Sequence, residues 1–267
     1  MKSLHEALII RMKGDDIEEV TDQIASEIGF TLNVNGKQVV TLLCTPSELD
    51  AMAIGFLLSE GILTSRESLL DVQMDEREFS VSVTLKDLPD DIDATFNKKT
   101  ITSGCGQGIT YTDAESLKSL PPNRSMLQVS PEKIRNILKE FRTISELFTK
   151  TGGVHSAALV DKKKIILFSE DIGRHNAVDK VVGHGFLDGR VPRNDKALVV
   201  SGRTSFEIIQ KALMGGVPLV VAVGAPSSLA VELARRFNMT LIGFARGGSF
   251  NLYSGEERIL DWPPKGG

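Results

Sequence analysis

The residue most suited to chemistry is Cys105, in the stretch "TSGCGQGIT" (residues 102–110). Three glycines and the small polar Ser103 surround it, so nothing local would hide its sulfur. An exposed thiol is a liability unless it is used, and its thiolate is a nucleophile. Nucleophilic catalysis, redox switching and sulfur carriage all remain open on these residues alone. The other cysteine, Cys44, ends the apolar run "VVTLLC" and reads as a packing residue.

A second cluster is "SEDIGRHNAVDKVVG" (169–183), which holds Glu170, Asp171, Arg174, His175, Asn176, Asp179 and Lys180. Arg174 and Lys180 suit anions, and His175 can move protons near neutral pH. Composition alone favours a solvated helix start here, with Asp171 as cap and Asp179 and Lys180 on the wet face. His155, in "GGVHSAAL", stands apart. A zinc deaminase would need a glutamate two residues after it and a later CxxC. Ala157 holds the first position and the chain has no CxxC, so a zinc site lacks ligands.

Three further segments are "SGRTS" (201–205), "GAPSS" (224–228) and "ARGGS" (245–249). Each alone reads as a tight turn. Each also follows a short, nearly all-apolar run: "ALVV" (197–200), "PLVVAVG" (218–224) and "TLIGFA" (240–245). Helical patterns, "FEIIQKALM" and "SLAVELARRF", lie between the runs. That β-α-β-α-β order predicts parallel strands buried on both faces, with right-handed crossovers. The three loops then gather at the carboxyl edge of one sheet, where open parallel sheets bind ligands. Arg203 and Arg246 suit bidentate phosphate contacts, and helix N-termini add N–H groups. No Walker loop or GxGxxG fingerprint is present.

The remaining elements support this unit. Asn35-Gly36 predicts a hairpin. "TPSELDAMAIGFLLSEG" predicts a helix with Thr45 as N-cap, Pro46 at its first position, Glu48 in a capping box and Gly61 as stop. "FSVSVTLK" predicts a half-buried strand. Ser130-Pro131 opens a predicted helix whose Ile134, Ile137, Leu138, Phe141, Ile144 and Phe148 share a face, up to Gly152 and Gly153. "VHSAALVDKKKIILFSED" reads as two strands around a lysine-rich turn. The polar "LKSLPPNRSM" marks a domain boundary. The expected fold is α/β, α+β overall. A smaller N-terminal α+β domain (1–124) ends in the Cys105 loop and precedes a C-terminal α/β domain (125–267).

The chain has 267 residues, 41% hydrophobic and 25% charged, with net charge −4. This argues against a general nucleic-acid binder. No run of about 18 apolar residues suggests a membrane span, and no secretory h-region opens the chain. Two cysteines do not make a disulfide framework, so a reduced, cytoplasmic protein is expected.

Taken in order, "TPSELDAMAIGFLLSEGIL", the glycine-flanked Cys105, "TGGVHSAAL", "EDIGRHNAVDKVVG", "SGRTSFEIIQKA" and "GFARGGSFNLYS" resemble the FdhD family from about Thr31 to Tyr253. The resemblance implies a sulfur carrier needed for formate dehydrogenase activity. It implies a persulfide taken from a cysteine desulfurase on Cys105. The sulfur would then pass to the molybdenum cofactor, a bis-molybdopterin guanine dinucleotide, before that cofactor enters the dehydrogenase. It further implies a cofactor-binding stretch at Phe244, Ala245, Arg246, Gly247, Gly248 and Ser249, with Ser201, Gly202 and Arg203 beside it. His155, Arg174 and His175 are candidate accessory groups. A C-terminal three-layer α/β/α domain similar to the cytidine deaminase fold without zinc, and a homodimer, are also implied. Many family members carry CxxC at the thiol; here Gly108 replaces the second cysteine. A persulfide needs one sulfur anchor only, so the carrier chemistry survives that change. The alternative is a molybdenum-cofactor-binding chaperone that transfers no sulfur; a cysteine hydrolase and a redox switch are further rivals.

Overall fold

The structure, a computed structural model, describes residues 2–88, 100–101, 122–189 and 195–262. Cys105, Gly108 and part of the expected join between the halves lie outside these residues. The fold is mixed α/β, and its described residues form three sheets.

The chain begins with a two-stranded antiparallel ribbon, β1 (Leu4–Lys13) and β2 (Asp16–Ala25), which turns at Gly14. The second sheet has the order β5-β6-β3-β4-β7, from β3 (Ile28–Val34), β4 (Lys37–Cys44), β5 (Leu69–Asp75), β6 (Ser80–Leu85) and β7 (Thr100–Ile101). Asn35 and Gly36 both take positive φ (47° and 79°), so the β3–β4 hairpin turns where the sequence placed it.

Helix α1 (Leu49–Ser59) follows β4 and is buried around almost its whole circumference. One side meets the second sheet and the other meets α4 (Arg174–Leu187). A helix apolar all round belongs between layers. Its start differs from the expected capping box. The N-cap is Glu48, in left-handed conformation (φ 54°, ψ 39°), with no side-chain cap. Thr45 is engaged elsewhere: its N–H donates to Asp171 Oδ2 (3.0 Å) and its Oγ1 accepts from the Ile172 N–H (3.1 Å). A tertiary contact has claimed the residue that local sequence assigned to capping.

The third sheet has the order β13-β12-β11-β10-β8-β9. Its members are β8 (His155–Val160), β9 (Ile165–Asp171), β10 (Ala197–Val200), β11 (Leu219–Ala222), β12 (Thr240–Arg246) and β13 (Ser249–Ser254). β10, β11 and β12 are parallel, as expected; β8 and β13 flank them antiparallel. Helices α4, α5 (Phe206–Met214) and α6 (Ser228–Arg236) cover one face, where Leu159, Leu198, Val200, Val220, Ala222 and Leu241 join the main core. Helix α2 (Pro131–Thr143) covers the other, over Ala158, Val160, Val199, Val221 and Ile242. Alternate residues of each strand thus enter opposite cores, which is why these strands read as unbroken apolar runs.

Two expectations fail here. The long helix from Ser130 is two helices, α2 and α3 (Glu146–Thr151), and Phe148 is 51% exposed rather than on the buried face. Glu170 explains the break: its carboxylate accepts from the Leu147 and Phe148 N–H groups (3.0 Å each) and from Ser145 Oγ. An acidic side chain from β9 caps a new helix start that one-dimensional periodicity cannot reveal. Asp179 and Lys180 are likewise buried, not solvated. Lys180 Nζ pairs with Asp171 Oδ2 (2.7 Å), and Lys211 Nζ meets both oxygens of Asp179 (2.8 Å each). Buried charges survive only when paired and hydrogen-bonded, and both pairs are.

Candidate functional site at the sheet's carboxyl edge

The parallel ladder does not stop at the strand ends. Val223 N–H donates to the Val200 carbonyl (3.0 Å), Gly224 N–H to Gly202 (3.2 Å) and Phe244 N–H to Gly224 (3.0 Å). Thr204 N–H donates to Ala225, and Ser227 N–H to Thr204 (3.0 and 2.9 Å). The loops after β10, β11 and β12 therefore lie side by side, with the N-termini of α5 and α6 directly behind the first two. Glycine is required at this join: a Cβ on Gly224 would sit 2.7 Å from the Gly202 carbonyl oxygen and 2.8 Å from the Arg203 nitrogen.

The stretch 244–249 divides by burial and backbone. Ala245 is buried in the core beneath α2, as is Ile242 three residues earlier, so the irregularity between Gly243 and Arg246 breaks the strand's two-residue alternation at Phe244. Phe244 is 36% exposed and holds a positive φ (51°), a conformation bulky residues rarely take. The Arg246 guanidinium lies over its ring, 5.9 Å from the centroid. Gly247 and Gly248 (φ 62° and 85°) make the turn between paired Arg246 and Ser249, and Ser249 Oγ closes it on the Arg246 carbonyl (3.2 Å). The exposed cation and aromatic of this stretch are thus Arg246 and Phe244. The glycines shape the hairpin that presents them.

At the other end of the edge, next to β10, stands β8. His155 opens that strand, and Ser201 fastens it: the Ser201 Oγ accepts from the Ser156 N–H (2.9 Å) and lies 3.4 Å from His155 Nδ1. Arg174 and His175 begin α4. His175 Nε2 is 3.4 Å from Ser205 Oγ. Gly202 sits against both groups: a Cβ there would lie 3.3 Å from His155 Nδ1 and 3.5 Å from Arg174 Cβ. The structure therefore brings Ser201, Gly202, Arg203, His155, Arg174 and His175 together from three segments.

Asp171 holds this cluster in place. Besides Thr45 and Lys180, it accepts from the Gly173 N–H and from Asn176 Nδ2 (2.8 Å each), and Asn176 also donates to the Leu43 carbonyl (2.9 Å). Lys180 adds contacts to the Thr45 carbonyl and Ser47. The start of α4 is thereby fixed to the end of β4. Sequence reasoning missed this role of Thr45, Asn176 and Lys180; the polar density of 169–183 was the only signal.

The electrostatics favour an anion. Burial pushes the His175 pKa down to about 3, helped by Lys211 and Arg174 nearby. Burial also lowers that of His155, with Arg174 and Arg203 adding to it. Both imidazoles are neutral near pH 7, while guanidinium groups stay charged. Cys44, by contrast, is fully buried, and burial with Asp171 close by pushes its thiol up to about 12.

Comparison with known proteins agrees with the sequence order of these motifs. The model of the "FdhD/NarQ family" matches residues 25–260. The chain is 40% identical over 252 residues to "Sulfur carrier protein FdhD" of Bacillus subtilis (strain 168), covering 94% of this chain and 95% of that protein. It is 37% identical, with the same coverage, to the protein of that name from Staphylococcus haemolyticus (strain JCSC1435). A crystal structure of a putative formate dehydrogenase accessory protein from Desulfotalea psychrophila superposes with a TM-score of 0.80, covering 97% of this chain and 100% of that one, at 24% identity. On these matches, which span nearly its whole length, the chain belongs to the FdhD/NarQ family.

Proposed function

We propose that this protein is a sulfur carrier serving formate dehydrogenase, with Cys105 as its carrier thiol. The observation that carries this reading is the state of the alternative. The chain has two cysteines, and Cys44 is buried with its pKa raised to about 12, so it forms almost no thiolate. Relatives named as sulfur carriers supply the class of chemistry. The Cys105 thiolate attacks the outer sulfur of a persulfide on a cysteine desulfurase. A new S–S bond forms on Cys105, and the desulfurase cysteine leaves as thiolate.

The client is the molybdenum cofactor in its bis-molybdopterin guanine dinucleotide form, bound along the 201–205, 224–228 and 244–249 edge before insertion. The residues present suit it: Phe244 offers a stacking face, and Arg246, Arg203 and Arg174 offer cations for phosphate oxygens. The reading includes a cytoplasmic homodimer whose two domains divide near residue 124, and a C-terminal domain of the cytidine deaminase type without zinc. One feature favours the rival reading, a cofactor chaperone without sulfur transfer: Gly108 stands where many relatives have a second cysteine.

The test is to load the protein with a desulfurase and cysteine, then locate persulfide by mass spectrometry. Persulfide on Cys105, and loss of formate dehydrogenase activation in Cys105→Ala, is the expected result. Persulfide on Cys44, or full activation by Cys105→Ala, would overturn it.

A further inference from the structure

We infer that the amino-terminal ribbon is the surface through which two copies of this chain associate, the exposed row Leu8, Ile10 and Met12 packing face to face on the same row of a second copy. This gives a surface to the homodimer of the proposed function and rests on that part of it.

The first argument is an uncovered face. β1 and β2 pair over ten consecutive residues without a register shift, whereas the four hairpins of the other sheets each carry one. Bulges twist a strand surface away from foreign chains, and this ribbon has none. No residue of β1 or β2 is buried. At the base of the ribbon Ala25 lies beside Gly153, which follows α3. A two-stranded ribbon without further cover is marginal in water. Side chains alternate, so Leu8, Ile10 and Met12 share one face, with Ile17 paired beside Met12. These four are 67%, 76%, 69% and 67% exposed.

The second argument is how the charges are sorted. Arg11, Lys13, Asp16, Glu18 and Asp22 lie on the opposite face, where Arg11 meets Asp22 (3.5 Å) and Lys13 meets Glu18 (3.3 Å). Between Leu4 and Ala25 the apolar face carries no cation; its charged residues are Glu6 and Glu19, the latter paired across from Ile10. A second copy matches such a row with an identical one. A two-fold axis through Ile10 lays that residue on its own counterpart and sets Leu8 against Met12 of the second copy. No charge falls inside the row, and the two Glu19 side chains approach each other only at the wet rim. An apolar centre with a polar rim is the anatomy of a homodimer interface.

The third argument is area. Four side chains about two-thirds exposed offer about 500 Å² of apolar surface, near the upper limit of what a monomer leaves uncovered. With Glu6, Glu19 and Thr21 around them, the face offers about 800 Å², the share each partner gives to an interface of standard size. The ribbon lies ahead of the residues that define the family match (25–260), so this surface does not follow from family membership.

Sedimentation velocity of the full chain across the micromolar range reads the association. Wild type should sediment as a dimer. Leu8→Asp and Ile10→Asp should weaken the dimer at least tenfold with unchanged far-ultraviolet circular dichroism. Leu70→Asp, on a comparably exposed leucine of β5 (61%), should leave the dimer intact. Glu19→Gln should tighten the dimer, because it removes two like charges that meet at the rim; attachment to a basic surface would instead be weakened by this change. Ile10→Cys in a Cys105→Ser background should form an intermolecular disulfide in air, which keeps the test open should an aspartate variant misfold. The inference is overturned if both folded aspartate variants stay dimeric, if Glu19→Gln weakens the dimer, or if Ile10→Cys forms no cross-link; the homodimer then stands on another surface. A monomeric wild type sinks the inference and the homodimer together, and leaves the carrier role of Cys105 to its own test.

Discussion

Replacing Gly183 with alanine should loosen the whole molecule. Gly183 on α4 faces α1, and a Cβ there would lie 1.8 Å from the Ala51 carbonyl oxygen and 2.8 Å from the Gly55 nitrogen. Gly55 is the reciprocal case, with its Cβ position 1.9 Å from the Asp179 carbonyl oxygen. Both obstacles are backbone, so no side chain can swing aside. Reaching ordinary contact requires the two helices to part by about 1.5 Å, in an interior packed to crystal-like density. Overpacking costs about 1–3 kcal/mol, and a backbone obstacle puts this site at the upper end. Alanine's better helix propensity returns about 1 kcal/mol. The expected net loss is about 2 kcal/mol, a fall in Tm of roughly 4–8 °C for a chain of this size. Urea unfolding of Gly183→Ala beside Gly153→Ala measures it. Gly153 has an ordinary φ and room for a Cβ, its nearest neighbour being Ala25 Cβ at 3.7 Å, so that variant should be nearly neutral. If Gly183→Ala proves as stable as wild type, the helices do not cross on bare backbone and the account of the interior is wrong.

Three further outcomes follow from the buried polar groups. Asp179→Asn strands the Lys211 ammonium in the core and should cost about 3–5 kcal/mol in denaturant unfolding, while the double change Asp179→Leu/Lys211→Met recovers most of it; equal losses in both would refute the pairing. The depressed pKa of His175 means that below its ordinary value of 6.5 the unfolded chain takes a proton the folded chain refuses. Stability from this group is therefore whole above pH 6.5 and lost as pH falls toward 3, by at most about 1.4 kcal/mol per pH unit; the difference between wild type and His175→Gln across this window should show that slope, and a flat difference would contradict it. Cys44, buried with its pKa near 12, should resist iodoacetamide at pH 8 in the native protein and react after denaturation. Rapid native labelling of Cys44 by peptide mapping would undo the assignment of the carrier role to the other thiol.

Much of the architecture was already written into local pattern. Apolar runs of strand length separated by amphipathic helices dictate parallel strands with crossovers, and the loops after them must then share an edge. Asn-Gly between two apolar stretches dictates a tight hairpin, because both residues accept positive φ. Arg246 and Arg203 were legible as edge residues for the same reason, whereas Phe244 entered only through the family resemblance. Local pattern is silent on partners supplied from elsewhere in the chain. Thr45 looks like a helix cap until Asp171, 126 residues away, takes its N–H. Ser145 and Phe148 look like helix interior until Glu170 caps a second start. Asp179 and Lys180 look solvated because composition assigns charges to water. Only the packing of α1 on α4 shows that each charge meets a counter-ion in a dry interface. The Arg174 Nε, buried without an acceptor among the described residues, also belongs to tertiary structure, since whether a donor has an acceptor depends on everything folded around it. The sequence by itself therefore determined the layers and the edge they share, and singled out Cys105 as the candidate thiol. The tertiary structure decided which charges are spent on holding α4 in place and which stay exposed at the edge, because hydrogen-bond satisfaction is a property of space rather than of order along the chain.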